Sequence, residues 1–356
     1  MSMSHEKTWK IALSALVGLV FSAVVPVGFA QSPPSNVRMT WYGITNWHYQ
    51  IGDVGVILDG ESVNGALSAA SVTKQLTAVQ KKGTVDYIIA GHVHPDHTNQ
   101  MRELARQTTA KIYGPAAMCT TLRNAGFPAD RCVSVFGGER VQLSDYAQMR
   151  VVRWVHSVDC NEMSNGTGTP ETFGYLFTVN TGSKVLSWYV SDSGAGNEDL
   201  FIPRVANGIT YGSPMQNLAA AVEDAGLDSF EIWQGGPESR MVAQAKYVIP
   251  AFGVSIFMPH HLNARANAES SFKLEYGMHY PYSLDDQPKL KAFLESEGVP
   301  QVWPRNYWDA WIYDSAGIRK SYNAEVKALY GLPPVMAGPG VQGPNPRAGE
   351  LECPQD

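Results

Sequence analysis

Between residues 37 and 330 the chain alternates short β-prone runs with stretches of helical period, and no clean break divides it. Residues 37–41 and 54–59 read as strands around a turn at Gly52-Asp53. A helical pattern covers about 63–82. It is followed by a compact β-prone run at 85–90 and a polar helix that begins near His97. Further strands are predicted at 149–155, 172–178, 184–190, 230–234 and 254–258, with helices at about 215–225 and 240–248. Strands come early in groups and helices intervene throughout. This is the pattern of sheets covered by helices, an α/β or α+β layered domain, and not an all-β or all-α protein. No repeat is visible, and the Gly/Pro-rich stretch from Gly331 to Pro346 reads as irregular, so one domain over 31–330 and a tail over 331–356 are expected.

The first 30 residues stand apart. Lys7 and Lys10 make a basic start, an apolar run follows from Ile11 to Val25, and Gly28 and Ala30 have the spacing of a signal-peptidase site. Cleavage would leave Gln31 at the N-terminus of an exported, periplasmic or secreted protein without stable membrane association. A retained anchor is the alternative, because Ile11 to Ala30 could just span a bilayer. Processing would remove Lys7 and Lys10 together with Glu6, making the net charge one unit more negative than the −6 of the whole chain. With only 17% charged residues and no basic surface, a nucleic-acid partner is not expected and a small-molecule substrate fits better. Export makes the four cysteines disulfide candidates. Cys119 and Cys132 flank a short segment with a turn at Gly126-Phe127-Pro128, which leaves Cys160 and Cys353 to tie back the tail; two other pairings are open.

The segment with the most chemistry is Gly91-His92-Val93-His94-Pro95-Asp96-His97, between the run at 85–90 and a helix. Three of the nine histidines and a carboxylate fall within six residues. Imidazole nitrogen and carboxylate oxygen are the ligands of zinc and similar divalent ions. On a tight loop His92 and His94 can converge on one ion, and Asp96 and His97 can reach a second.

This His-x-His-x-Asp-His pattern at a strand-to-helix junction resembles the metallo-β-lactamase superfamily, and the order of elements over about 37–320 agrees with it. The resemblance implies an α+β fold, a four-layer αββα sandwich of two facing mixed sheets covered by helices. It implies further ligands at strand ends: His156 after 149–155 for the first metal, Asp192 after 184–190 as a bridge, and His260 or His261 after 254–258 for the second. His261 is preferred, because the branch resembling ascorbate-6-phosphate lactonases places its ligand two residues after such a proline as Pro259. Asp59 is expected to support the metal loop in the superfamily, or equally to be a turn residue before Gly60.

Two adjacent cations lower the pKa of a bridging water, so hydroxide is available as a nucleophile near neutrality. The expected cofactors are two divalent ions, zinc first and manganese or iron as alternatives. One, on His92, His94 and His156, would polarise a carbonyl or phosphoryl oxygen. The other, on Asp96, His97 and His261 with Asp192 bridging, would steady the leaving group, and Asp96 is the catalytic candidate that could pass it a proton. The leading expectation is hydrolysis of a small ester or lactone; a phosphodiester or β-lactam substrate, or a non-catalytic metal-binding role, are the alternatives. The aromatic segments Trp41–Tyr49 and Trp303–Trp311 read either as pocket walls or as ordinary core, and Arg305 as an anion holder or a structural contact.

Overall fold

The early β-prone runs fold into a meander of β1 (Asn36–Gly43), β2 (Asn46–Ile51) and β3 (Val54–Leu58). In this computed structural model the described residues are 32–60, 68–156, 171–191, 198–203, 205–206, 208–236, 241–261, 264–265, 273–274, 283–304 and 307–331. By its contacts the chain divides after Ser32, and the architecture is that of the unit Pro33–Asp356. Positions 1–30, Cys160, Asp192, His279, Arg305, Cys353 and the tail beyond Gly331 lie outside the described residues.

From β3 the chain makes crossovers. Helix α1 (Ala69–Gln80) leads to β4 (Tyr87–Ile89); α2 (Pro95–Thr98) and α3 (Met101–Gln107) lead to β5 (Lys111–Gly114); α4 (Ala116–Asn124) leads to β6 (Cys132–Ser134). Strands β3 to β6 are parallel, as connections through helices require. An antiparallel run follows: β7 (Arg140–Ser144), β8 (Ala147–Arg153), β9 (Phe173–Asn180) and β10 (Val185–Val190). After the hairpin of β11 (Val205–Ala206) and β12 (Ile209–Thr210), helix α5 (Pro214–Asp224) and β13 (Ile232–Gln234) precede α6 (Met241–Phe252) and β14 (Ile256–Phe257). The pair β15 (Ala264–Arg265) and β16 (Lys273–Leu274), helix α7 (Ser283–Ser296), the hairpin of β17 (Asp309–Asp314) and β18 (Gly317–Ser321), and α8 (Ala324–Ala328) complete the described chain. Two mixed sheets result, with orders β18-β17-β1-β2-β3-β4-β5-β6 and β14-β13-β10-β9-β8-β7.

Strand β9 shows why the central strands read as near-continuous apolar runs. Its Phe173, Tyr175, Phe177 and Val179 face the core between the sheets, while Leu176 joins Val152, Tyr189 and Trp233 under α5 and α6. A strand covered on both faces has no polar alternation to show. Tyr49 of β2 packs on Phe177 and Trp188 at ring distances of 5.3 and 5.4 Å, closing the two sheets face to face. The aromatic segments therefore serve as core: Trp41, Tyr42, Trp47, Tyr49 and Trp308 are all fully buried.

Not every predicted boundary agrees with the fold. The run at 254–258 forms only a two-residue strand, continued by the bond from Met258 N to the Trp233 carbonyl. Helix α1 begins at Ala69, where the Ser68 hydroxyl caps it by accepting from Ser71 N, and 61–67 lie outside the described residues. Strands β5, β7, β17 and β18 have little sequence signal of their own. Gly-Ile-Arg-Lys-Ser of β18 is a half-buried edge strand, exposed at Arg319 and Lys320, that its pairing to β17 defines.

Cys119 of α4 and Cys132 at the start of β6 are joined by a disulfide, with Cα atoms 5.2 Å apart. Both are buried, and the bond closes a 13-residue separation. Reduction, or the Cys119→Ala/Cys132→Ala variant, is expected to lower stability by about 3 kcal/mol. Melting curves with and without reductant check this; coincident curves would show that the bond contributes nothing.

Burial holds the His48 imidazole down at about 4, against the raising effect of its bond to the Thr84 carbonyl, 2.8 Å from Nε2. The folded state therefore favours neutral His48 and the unfolded state takes up its proton first. Stability from this group is full above the ordinary imidazole range near 6.5 and is lost as pH falls from there toward 4, by about 3 kcal/mol in all. Denaturant midpoints across that window should fall less steeply for His48→Gln than for the wild type. Parallel slopes would remove His48 from the account.

Candidate metal centre

The ligand-bearing loop leaves the C-terminal end of β4, an interior strand of the larger sheet, and one buried carboxylate organises it. Asp59 follows β3 in a left-handed conformation, φ 62°, which is uncommon for a residue other than glycine. Its Oδ1 accepts from Gly91 N at 2.9 Å, and its Oδ2 accepts from the Thr45 hydroxyl at 2.5 Å and lies 2.8 Å from His97 Nδ1. Backbone bonds from Asp59 N to the Ile89 carbonyl and from Gly60 N to the His97 carbonyl fix it against both ends of the loop. With Nδ1 donating to the carboxylate, His97 keeps its Nε2 lone pair for a metal, the carboxylate–histidine–metal relation of many metal sites.

The lone pair points at two further groups. His97 Nε2 lies 3.3 Å from His261 Nε2 and 3.6 Å from Asp96 Oδ2, and the latter two are 3.3 Å apart. A point equidistant from these atoms lies about 2 Å from each, the length of a zinc bond to nitrogen or carboxylate oxygen. Two imidazole nitrogens and a carboxylate oxygen converging this closely are the donor set of a divalent cation. His97 and His261 are buried, whereas the Asp96 side chain is 17% exposed and so forms the open side.

Next to this trio is a second. One nitrogen each of His92, His94 and His156 lie within 4.8 Å of one another, and the ring centroids are 4.5 to 4.6 Å apart. His92 joins the trios, its ring 3.9 Å from that of His97. His156 is brought in from the end of β8, where Trp154 N bonds the Thr172 carbonyl and Phe173 N bonds Gly91 O, stitching that strand end to the metal loop.

Of the two adjacent histidines after β14, His261 enters the second trio and His260 does not. His261 has φ 59° and its amide is tied to the Ile44 carbonyl at 2.9 Å, which turns its ring toward Asp96. His260 places Nε2 2.6 Å from the Ser191 carbonyl instead. Ser191 is further held by Trp233 Nε1 at its hydroxyl and through its own amide to Gln234 O. Ser191 immediately precedes Asp192 in sequence, the expected bridge, which lies outside the described residues. Thr45 went unrecognised as a site residue in the sequence reading. It sits in the turn between β1 and β2, beside Ile44 at φ 45°, and no local signal announces that this turn reaches Asp59 and His97.

Residues 63–207 match the family model described as a β-lactamase superfamily domain. The chain is 25% identical over 202 residues to a UPF0173 metal-dependent hydrolase of Polynucleobacter asymbioticus, covering 52% of this chain and 68% of that protein. Among solved structures it is similar to Igni18, a metallo hydrolase of Ignicoccus hospitalis, with 17% identity, 78% of this chain and 98% of that one covered, and a TM-score of 0.48. It is also similar to the metallo-β-lactamase fold protein YhfI of Bacillus subtilis, with 13% identity, 77% and 99% coverage, and a TM-score of 0.47. The family model and this relative support the metallo-β-lactamase superfamily and a metal-dependent hydrolase.

Proposed function

We propose that this protein is an exported hydrolase that uses two divalent metal ions, zinc by preference, to cleave a small ester or lactone-type carbonyl compound. The observation that carries this reading is the pair of donor trios set side by side, with His92 and His97 in ring contact between them. Metal ions held there would supply an activated water and polarise the carbonyl under attack. The remaining work falls to the chain's own groups. Asp59 holds His97 in the tautomer that exposes Nε2, and Thr45 fixes Asp59. Asp96, the least buried member of its trio, would take the proton released as the activated water attacks and pass it to the departing alkoxide. The low charged fraction of 17% and the net charge of −6 support a neutral or modestly charged substrate. The basic, apolar and small-residue order of residues 1–30 supports export.

Purified protein should contain about two zinc ions per chain, and among lactone, β-lactam, thioester and phosphodiester substrates the lactone should turn over fastest. Elemental analysis with this panel provides the test, and intact mass of the same preparation should place the N-terminus near Gln31. Protein that stays metal-free after zinc, manganese and iron supplementation would overturn the mechanism, and a mass that retains residues 1–30 would overturn the processing.

A further inference from the structure

The metal loop has a second side. Val93 lies between His92 and His94 in sequence and lines a space that neither histidine reaches. There, with Pro95, it meets α3 and α4 around a cavity of about 320 Å³, within the size range of small-molecule sites. None of the six trio residues lines it. Its interior is apolar, formed by Val93, Met101, Met118 and Leu122. Methionines make such a wall adaptable to the shape of what enters.

The rim is polar and electrically one-sided. Arg102 lies at the edge, exposed, and its guanidinium makes no hydrogen bond or ion pair among the described residues. No carboxylate lines the cavity. The first turn of α4, whose Ala117 and Met118 contribute to the wall, contains no acidic residue and has no side-chain cap, so the positive end of its dipole is uncompensated. Thr98, also on the wall, ties α2 back to the loop through its hydroxyl, which bonds the Val93 and His94 carbonyls at 3.1 Å each.

We propose that this cavity is a second small-molecule site, distinct from the metal centre, that takes a compact amphiphilic carboxylate with its apolar body against Val93, Met101, Met118 and Leu122 and its anionic head at Arg102. The occupant touches Val93 and Pro95, which interleave with the metal ligands in sequence. Binding there and metal binding therefore act on one short segment, and each is expected to change the affinity of the other by the same factor. The site depends on the cavity and its lining alone and is independent of which substrate the metal centre prefers.

Octanoate is a suitable probe, read by the methyl resonances of Met101 and Met118 in zinc-loaded full-length protein. A saturable shift of both is expected, with octanol and octylamine each binding at least five-fold more weakly than octanoate. Arg102→Gln, at an exposed position, should weaken octanoate binding at least five-fold, and Ala117→Trp, which fills the cavity from the exposed side of α4, should abolish the shifts. Octanoate that moves neither methionine, that shifts them equally in Arg102→Gln, or that is matched by octanol would overturn the proposal. Failure of the hydrolase reading would show in the substrate panel and leave these shifts unchanged, so the two can be told apart.

Discussion

His261→Ala is expected to remove one of two bound metal ions and to lower kcat/KM by at least about 10³-fold, whereas His260→Ala keeps both ions at saturating zinc. The reasoning is geometric. His261 Nε2 stands 3.3 Å from both His97 Nε2 and Asp96 Oδ2, and removing it leaves two of the three donors of that trio, which weakens the hold on a divalent ion. His260, its immediate neighbour, is spent on the Ser191 carbonyl. Its loss loosens the segment leading to Asp192 and should reduce activity more modestly, without emptying a site. Asp96→Ala should resemble His261→Ala in metal content, and His92→Ala or His94→Ala should deplete the other trio. Elemental analysis of the five variants beside their turnover decides the matter. Metal lost from His260→Ala and retained by His261→Ala would reverse the assignment.

The second large effect is expected at a residue that need not touch metal. Asp59 accepts from Gly91 N, from the Thr45 hydroxyl and from His97 Nδ1, all in a buried setting. Asp59→Ala strands three donors away from water, at roughly 1–3 kcal/mol each, and should unfold the protein well below the wild-type midpoint. Asp59→Asn is the sharper variant. Its carbonyl can still accept from Gly91 N and its amide can still meet Thr45, but that amide now faces a donor on His97. The imidazole escapes by shifting its proton to Nε2, the atom that faces His261 and Asp96, and so loses its lone pair as a ligand. Asp59→Asn should therefore fold with a midpoint close to wild type and bind the second metal about 10- to 100-fold more weakly. Competition against a chelator measures this. Wild-type zinc affinity in a folded Asp59→Asn protein would show that Asp59 has only a structural role.

What the sequence determined by itself is local. Within six residues, His92, His94, Asp96 and His97 lie close enough along the chain that any tight turn after a strand brings them together, so their chemistry is legible without the fold. Cys119 and Cys132 are similarly close, and the alternation of strands with helices is a matter of local period. The rest depends on contacts between segments far apart in sequence. Whether the aromatics of β1 and β2 line a pocket or fill the core was settled by the second sheet, which lays Phe177 and Trp188 against Tyr49. Which of His260 and His261 faces Asp96 and His97 depends on a positive φ and on an amide bond to Ile44, more than two hundred residues away. Thr45 and Asp59 look like ordinary turn residues until the β1–β2 turn, the end of β3 and the metal loop are brought to one place. A side chain's type is written in the sequence, but the direction it faces and the group it meets are set by backbone pairing, which only the assembled sheets supply.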